Sequence, residues 1–448
     1  MRFTNVFALT SVLLLPLVTL AKDLPPWPSP VPGHVPPKPG EHPRLLFRKS
    51  DLQELRLRAS TENGQKIIAR LKKLLGEGSG DLDLDLDDLD AEEDSAKAKP
   101  HTISHVAGYG FLHLITGKKE YAEKARQRMQ DSMNGIPDDD KRYSWKAPNG
   151  ALRAGPSLGW HAVGYDLAYE GWDPAFRKKV AQEIATYNRG PHCSIEELVA
   201  GKRHMPGSNH WGMQVGGGAL AVLAIRGDPG VDNEKIEALI KISRKSMIRN
   251  LTEGFGDHGS FAEGDGTGVM SSHISFLPAL QAWRVSAGLD FCSPRPNARW
   301  TCLKWVMLTI PKGGRPDFPA RGGYPHRCIL ALVNWPFGMK EQNPAKILPK
   351  LVVDKWSGRC MFRNRWKDQD DIIVDAQLKS TRGWMGKVSV SGNRRSPSPA
   401  RKSCSTSRAR TARTLLARTE SHYLGQIVLV FGRILKAVLG HKLHYWRT

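Results

Sequence analysis

Residues 204–225, "HMPGSNHWGMQVGGGALAVLAI", place Asn209 and His210 directly before a tryptophan, three glycines and an apolar tail. An amide and an imidazole at the entrance of a buried helix suit one kind of chemistry. They can donate hydrogen bonds to an anionic ligand and move protons on it. A plainer role is open too, because Asn is a favoured helix cap and His210 could pack in a polar shell. A second stretch, "DHGSFAEGDGTGVMSSHISFLPALQAW", sets Asp257, His258, Glu263, Asp265 and His273 among glycines before an apolar helix. Glycine-rich turns of this kind let backbone and side chains approach a ligand closely. A third, "RGGYPHR", carries Arg321, Tyr324 and His326 on what reads as a loop.

The elements around these residues are mostly helical. The stripe Ile67, Ile68, Leu71, Leu74 and Leu75 ends at Gly76, and Tyr121, Ala125, Met129 and Met133 end at Asn134-Gly135. Ser50 is placed to cap "DLQELRLRA". Asp173-Pro174 reads as a cap followed by proline at the first helical position, with Phe176, Val180 and Ile184 on one face. Ile236, Leu239, Ile240 and Met247 repeat the pattern. Between these amphipathic segments lie softer, nearly all-apolar ones, "ISHVAGYGFLHLI", "LGWHAVGYDLAY" and the stretch after Asn209. That alternation predicts two concentric layers, apolar helices inside and amphipathic ones facing water. After about Arg315 the texture changes. "CMFRNRWKDQDDIIVDAQLKS" alternates around Ile372, Ile373 and Val374 and predicts a hairpin that opens a β-domain.

Residues 1–21 read as a cleaved secretory leader: Arg2, an apolar core from Val6 to Leu20, and small residues at Thr19 and Ala21. Export to the periplasm or the exterior permits disulfides, and Cys292 and Cys302 are near enough in sequence to pair. Residues 22–43, rich in proline, read as an extended linker. The insertion "DLDLDLDDLDAEED" lacks the glycine and final glutamate of an EF-hand and reads as a solvated acidic loop. The formal charge is +22. Part of it sits in residues 388–448, where twelve Lys and Arg face the single acid Glu420, a segment read as a disordered basic tail with no strand pattern. The remaining surplus on an exported body points to an acidic polysaccharide partner rather than nucleic acid, with no membrane partner once the leader is removed. No dense His/Asp cluster calls for a metal, so neither metal nor cofactor is expected.

At "HPRLLF", "SNHWGMQVGGGAL", "DHGSFAEGDG" and "MFRNRWKDQDDIIV" the sequence resembles the heparinase II/III-like polysaccharide lyases, over roughly residues 42–387. The resemblance implies an α+β multidomain chain. An α/α toroid (44–315) would be followed by the start of an antiparallel β-sandwich (316–387), truncated here, with the site in the cleft between them. It also implies β-elimination on uronate polysaccharides such as glycosaminoglycans or alginate. In such lyases a donor neutralises the uronate carboxylate, a base takes the C5 proton, and an acid protonates the O4 leaving group. Asn209 matches the neutralising asparagine and His210 the adjacent histidine. The expected catalytic set is completed by His273, the histidine nearest the "DHGSFAEG" turn, and by His326 with Tyr324, supplied from the sandwich side. Trp211, His258, Glu263, Asp265 and Arg321 are the expected substrate contacts. One departure stands out: related lyases carry a tyrosine soon after that turn, and none occurs between Leu251 and Trp300. The alternatives are a glycoside hydrolase pairing Glu263 with Asp265 or Asp257, and a non-catalytic carbohydrate-binding protein.

Overall fold

The computed structural model describes residues 27–77, 101–202, 204–263, 272–293, 296–308, 324–334, 337–356, 358–368, 371–377 and 387–391. The leader, the acidic loop, Asp265, Arg321 and the tail beyond Ser391 lie outside the described residues.

The inner layer is built from α3 (His105–Thr116), α5 (Ala151–Ala168) and α8 (Asn209–Ala224), in which almost every side chain is buried. Around them run the amphipathic α1 (Leu52–Ser60), α2 (Glu62–Leu74), α4 (Lys119–Asn134), α6 (Pro174–Ala185), the short α7 (Ile195–Ala200) and α9 (Asn233–Gly254). The expected stripes are the buried faces: Tyr121, Ala125, Met129 and Met133 on α4, and Phe176, Val180 and Ile184 on α6. Asp173 caps α6 by accepting the Phe176 N–H at 2.9 Å. Ser50 does not cap α1; it lies in a short 3-10 turn, Lys49–Asp51, and Asp51 accepts the Arg48 N–H instead.

The triple glycine of the opening stretch is a packing device. A Cβ on Gly217 would overlap the Gly155 backbone of α5, and one on Gly218 would lie 2.8 Å from Val199 of α7. One on Gly216 would lie 2.6 Å from the Ser275 carbonyl carbon. Gly155 faces Met213 and Gly159 faces Gly217, so α5 and α8 run in the same direction, side by side. Gly164 faces Val106 and Gly110 faces Ala168, so α3 is parallel to α5. The N-termini of these inner helices therefore point to one end of the body, the mouth.

The proline-rich segment is not a free linker. From Trp27 onward it is strapped along the helices: Trp27 Nε1 donates to the Phe291 carbonyl at 3.0 Å, and β1 (Ser29–Pro30) pairs with β2 (Leu289–Asp290). A polyproline backbone has no internal hydrogen bonds, and here the strap donates outward, Val31 N–H to the Gly288 carbonyl at 2.8 Å. The strap ends in a buried latch. His42 Nδ1 lies 2.6 Å from Asp166, His42 Nε2 lies 3.2 Å from Asp228, and Arg44 pairs with Asp228. Asp166 also accepts the backbone N–H groups of Arg44 and Leu45, and the Tyr165 hydroxyl donates to Asp228 at 2.7 Å. Burial alone would raise the Asp228 carboxyl, but the bond from His42 and the charges of His42 and Arg44 outweigh it and hold it below the usual range.

The helical body continues past residue 315. After α10 (Leu277–Ala287) and α11 (Pro296–Met307), α12 (Pro325–Val333) packs on α1, α2 and α3. The expected hairpin is present as β4 (Arg359–Arg363) and β5 (Ile373–Gln377), antiparallel with Phe362 opposite Val374. Together with β3 (Leu351–Asp354) and β6 (Lys387–Ser391) they form a four-stranded meander. The strand β6 crosses the expected start of the tail at 388, so the segment there does continue the sheet. A small core of Met307, Leu308, Val352, Met361 and Ile373 joins α11 to this sheet.

Candidate functional site at the mouth of the inner helices

The N-cap of α8 is Ser208, whose hydroxyl accepts the His210 N–H at 3.3 Å. Asn209 is therefore the first helical residue and is released from the capping role. It is only 6% exposed, yet its side-chain amide makes no hydrogen bond to the protein among the described residues, and Oδ1 is sealed from solvent without a partner. Buried amides are rarely left this way, since each unmade bond costs about 1–3 kcal/mol. The Asn209 backbone N–H is fixed instead, donating to Glu263 Oε2 at 2.5 Å. Glu263 thus serves as the anion at the start of α8, where the helix dipole favours negative charge. The rings of His204 and His210 lie 4.2 Å apart, tilted by 32°. His204 was not anticipated; a histidine six residues before His210 in one loop-to-helix entry was the available signal.

Glu263 ends a tight turn in which Phe255 bridges Phe261. His258 sits on that turn with its ring 5.3 Å from Trp300 and its Nδ1 buried without a partner. Asp257 is exposed on the same turn. Further along the chain lies a π-helical turn, Ser272–Phe276, which includes the backbone of His273; its side chain lies outside the described residues. Such turns recur at functional sites because they displace one residue from the helical ladder.

Two expected contacts are placed elsewhere. Trp211 is 3% exposed and turned into the body, with Gly201 against its ring, its Nε1 3.3 Å from the Ser246 carbonyl and the Arg249 guanidinium 5.0 Å from the ring centroid. It is a packing residue, because the next helical position after His210 points about 100° away. His326 does not come from the sandwich side. It lies in the first turn of α12 and is 2% exposed, stacked 4.7 Å from Trp160 of α5 and 3.3 Å from the Ser104 hydroxyl. Trp160 in turn donates to the Ile274 carbonyl at 2.6 Å, so His326 reaches the π-turn through an intervening indole.

Tyr324, the residue before that helix, is half-buried with its ring 5.4 Å from His326. Burial first, then the charge of Asp138, raises its hydroxyl pKa, so at neutral pH it holds its proton. Around it lies a group that was not foreseen. Asp138 is buried with Oδ2 unpartnered, and burial pushes its carboxyl up to about 7. Arg153, in the first turn of α5, stacks 5.1 Å over Tyr143 and keeps Nε and Nη1 buried without partners among the described residues. Below them, His101 and His161 share the Ser132 hydroxyl at 2.9 Å each, and burial drives them down to about 4 and about 3, so both are neutral. None of these residues sits in a recognisable spacing; only the fold gathers them. Among the described residues no group of three or more His, Cys, Asp or Glu could hold a metal ion, and no helix is long and apolar enough to cross a membrane.

No family model matches the chain, and no curated protein matches it. Solved structures do. A heparan sulfate lyase HepC mutant from Pedobacter heparinus is 13% identical over 64% of this chain and 46% of its own length, with a TM-score of 0.39. A heparinase III gene product is 14% identical over 78% of this chain and 58% of its own, with a TM-score of 0.40. A further heparinase III is 11% identical, covers 72% and 54%, and has a TM-score of 0.40. The chain spans about half the length of the solved structures it matches. It is similar, distantly, to heparinases, the group whose motifs its sequence resembles.

Proposed function

We propose that this protein is an exported polysaccharide lyase that cleaves uronate-containing, acidic glycans by β-elimination, on an α/α toroid followed by the start of a β-sandwich. The observation that carries the reading is the Asn209 amide: buried at a helix mouth, relieved of capping by Ser208, and making no side-chain hydrogen bond among the described residues. A uronate C5 proton is not acidic while the neighbouring carboxylate is charged. An amide donor on that carboxylate stabilises the enolate that forms as the proton leaves. A base at the mouth, His210 or His273, takes the proton. The electron pair closes a C4–C5 double bond and the C4–O4 bond breaks. O4 leaves with a proton from an acid, for which Tyr324 is suited because its hydroxyl stays protonated. Arg153, whose Nε and Nη1 have no partner among the described residues, would meet an anionic group of the glycan. The engagement of Glu263 by the Asn209 N–H counts against a hydrolase built on that carboxylate.

The test is incubation with a panel of uronate polysaccharides, sulfated and unsulfated, following absorbance of the unsaturated uronate. Growth of that band, lost in Asn209→Ala and in Asn209→Asp, supports the reading. Aspartate at 209 would repel the uronate. Reducing ends without the band would replace elimination by hydrolysis, and binding without either product would leave a carbohydrate-binding protein.

A further inference from the structure

The turn that carries Glu263 is held by two buried charged side chains from the C-terminal half of the chain. Asp354, at the end of β3, is completely buried, and its Oδ2 accepts the His258 N–H at 2.9 Å and the Ser260 N–H at 3.3 Å. Lys304 of α11, 3% exposed, donates its ammonium to the Gly259 carbonyl between them. Three consecutive residues of one turn are thus gripped through their backbone by a carboxylate from a strand and an ammonium from a helix. The fit is close: a Cβ at Gly256 would overlap the Asp354 carboxylate, and one at Gly259, whose φ is +72°, would lie 2.4 Å from the Trp300 carbonyl carbon. The turn closes on itself through Gly256 N–H to Ser260 O at 2.8 Å and Ala262 N–H to Gly254 O at 3.0 Å. Glu263 follows immediately and holds the Asn209 N–H.

We propose that Asp354, assisted by Lys304, is a positioning residue that transmits the seating of the β-sheet to the first turn of α8, so that the Asn209 amide is aimed only when sheet and helical body are docked. The catalytic part of this statement rests on the lyase reading; the mechanical part does not. Charge-assisted bonds to backbone groups in a buried setting are the stiffest ties available short of a covalent one. Their chain here is continuous: Asp354 and Lys304 to residues 258–260, the turn to Glu263, Glu263 to Asn209. A helix N1 amide normally has no intrahelical acceptor, so protection of the Asn209 N–H reports directly on the last link.

The experiment is amide hydrogen exchange on the full chain, parent against Asp354→Asn and, separately, Lys304→Met. Asparagine keeps the size of aspartate but turns an NH2 toward donors. The expected result is exchange faster by about tenfold or more at His258, Ser260 and Asn209, with α3 and α5 unchanged. Faster exchange at 258 and 260 with Asn209 unmoved overturns the coupling. Acceleration throughout α3 and α5 in both variants shows a general stabilising tie and overturns it as well. If the parent cleaves a uronate polymer, kcat should fall in Asp354→Asn with KM nearly constant. If the parent cleaves nothing, the lyase reading fails while the exchange result still decides the coupling.

Discussion

The latch at the end of the strap and the mouth of α8 are made from the same kinds of side chain and treat hydrogen bonds in opposite ways. In the latch, His42, Arg44, Tyr165, Asp166 and Asp228 satisfy one another, and apart from Arg44 Nε no polar side-chain atom among them is buried without a partner. At the mouth, Asn209, His258 and Arg153 each keep a buried polar atom unmatched. A closed network stabilises one conformation, while open valences are available to a ligand; Gln214 and Asn250 in the helical body also keep buried amide atoms unpartnered, so an open valence identifies a site only where it lies at the mouth. The contrast separates stability from function before any assay is run.

Four perturbations would break or sharpen that contrast. The largest effect is expected in the latch. Asp228→Ala strands His42, Arg44 and Tyr165, and should cost about 3–5 kcal/mol in a denaturant titration, leaving the mouth chemistry intact in the folded fraction. Next is Asn209→Ala, expected to lower turnover by about 100-fold or more, equivalent to about 3 kcal/mol of transition-state binding, with little change in unfolding midpoint. An equal loss of stability would mean the amide is structural after all. Third is Asp138→Asn. A carboxyl raised to about 7 in the folded state binds its proton there while the unfolded chain has released it. The group therefore removes stability as pH rises from about 4 to 7, by roughly 1.4 kcal/mol per pH unit. The neutral His101 and His161 act in the other direction, losing stability as pH falls below 6.5. The difference between parent and variant isolates Asp138: the variant should gain on the parent toward pH 7, and parallel pH profiles would refute the assignment. Smallest is Ser208→Ala, which should cost about 1 kcal/mol as a lost cap by thermal melting.

The helical half was legible because its signals are local. Periodicity identified the buried faces of α4, α6 and α9, and Asp173-Pro174 marks the start of α6. The alternation of apolar and amphipathic segments gave the two layers. Legibility failed where a residue's role depends on partners far along the chain. Trp211 lies two residues after Asn209 in sequence and so faces the opposite way on the helix. His326 reads as a loop residue in "RGGYPHR", whereas it lies in the first turn of α12, with Pro325 at the first helical position. The prolines of the strap read as a linker because nothing in them names the Phe291 carbonyl or β2 as partners. Asp138, Arg153 and Asp354 carry no spacing signature, and only the fold brings them to the places they occupy.

The parallel run of α3, α5 and α8 has an electrical consequence. Peptide dipoles in each helix add head to tail and leave about half a positive charge at its N-terminus. Aligned helices stack these partial charges at the same end, the end that holds Asn209 and Arg153. That field is fixed in the backbone, cannot be titrated, and survives any single side-chain replacement. At α8 the Glu263 carboxylate already offsets part of that field, so the N-termini of α3 and α5 carry the larger uncompensated share.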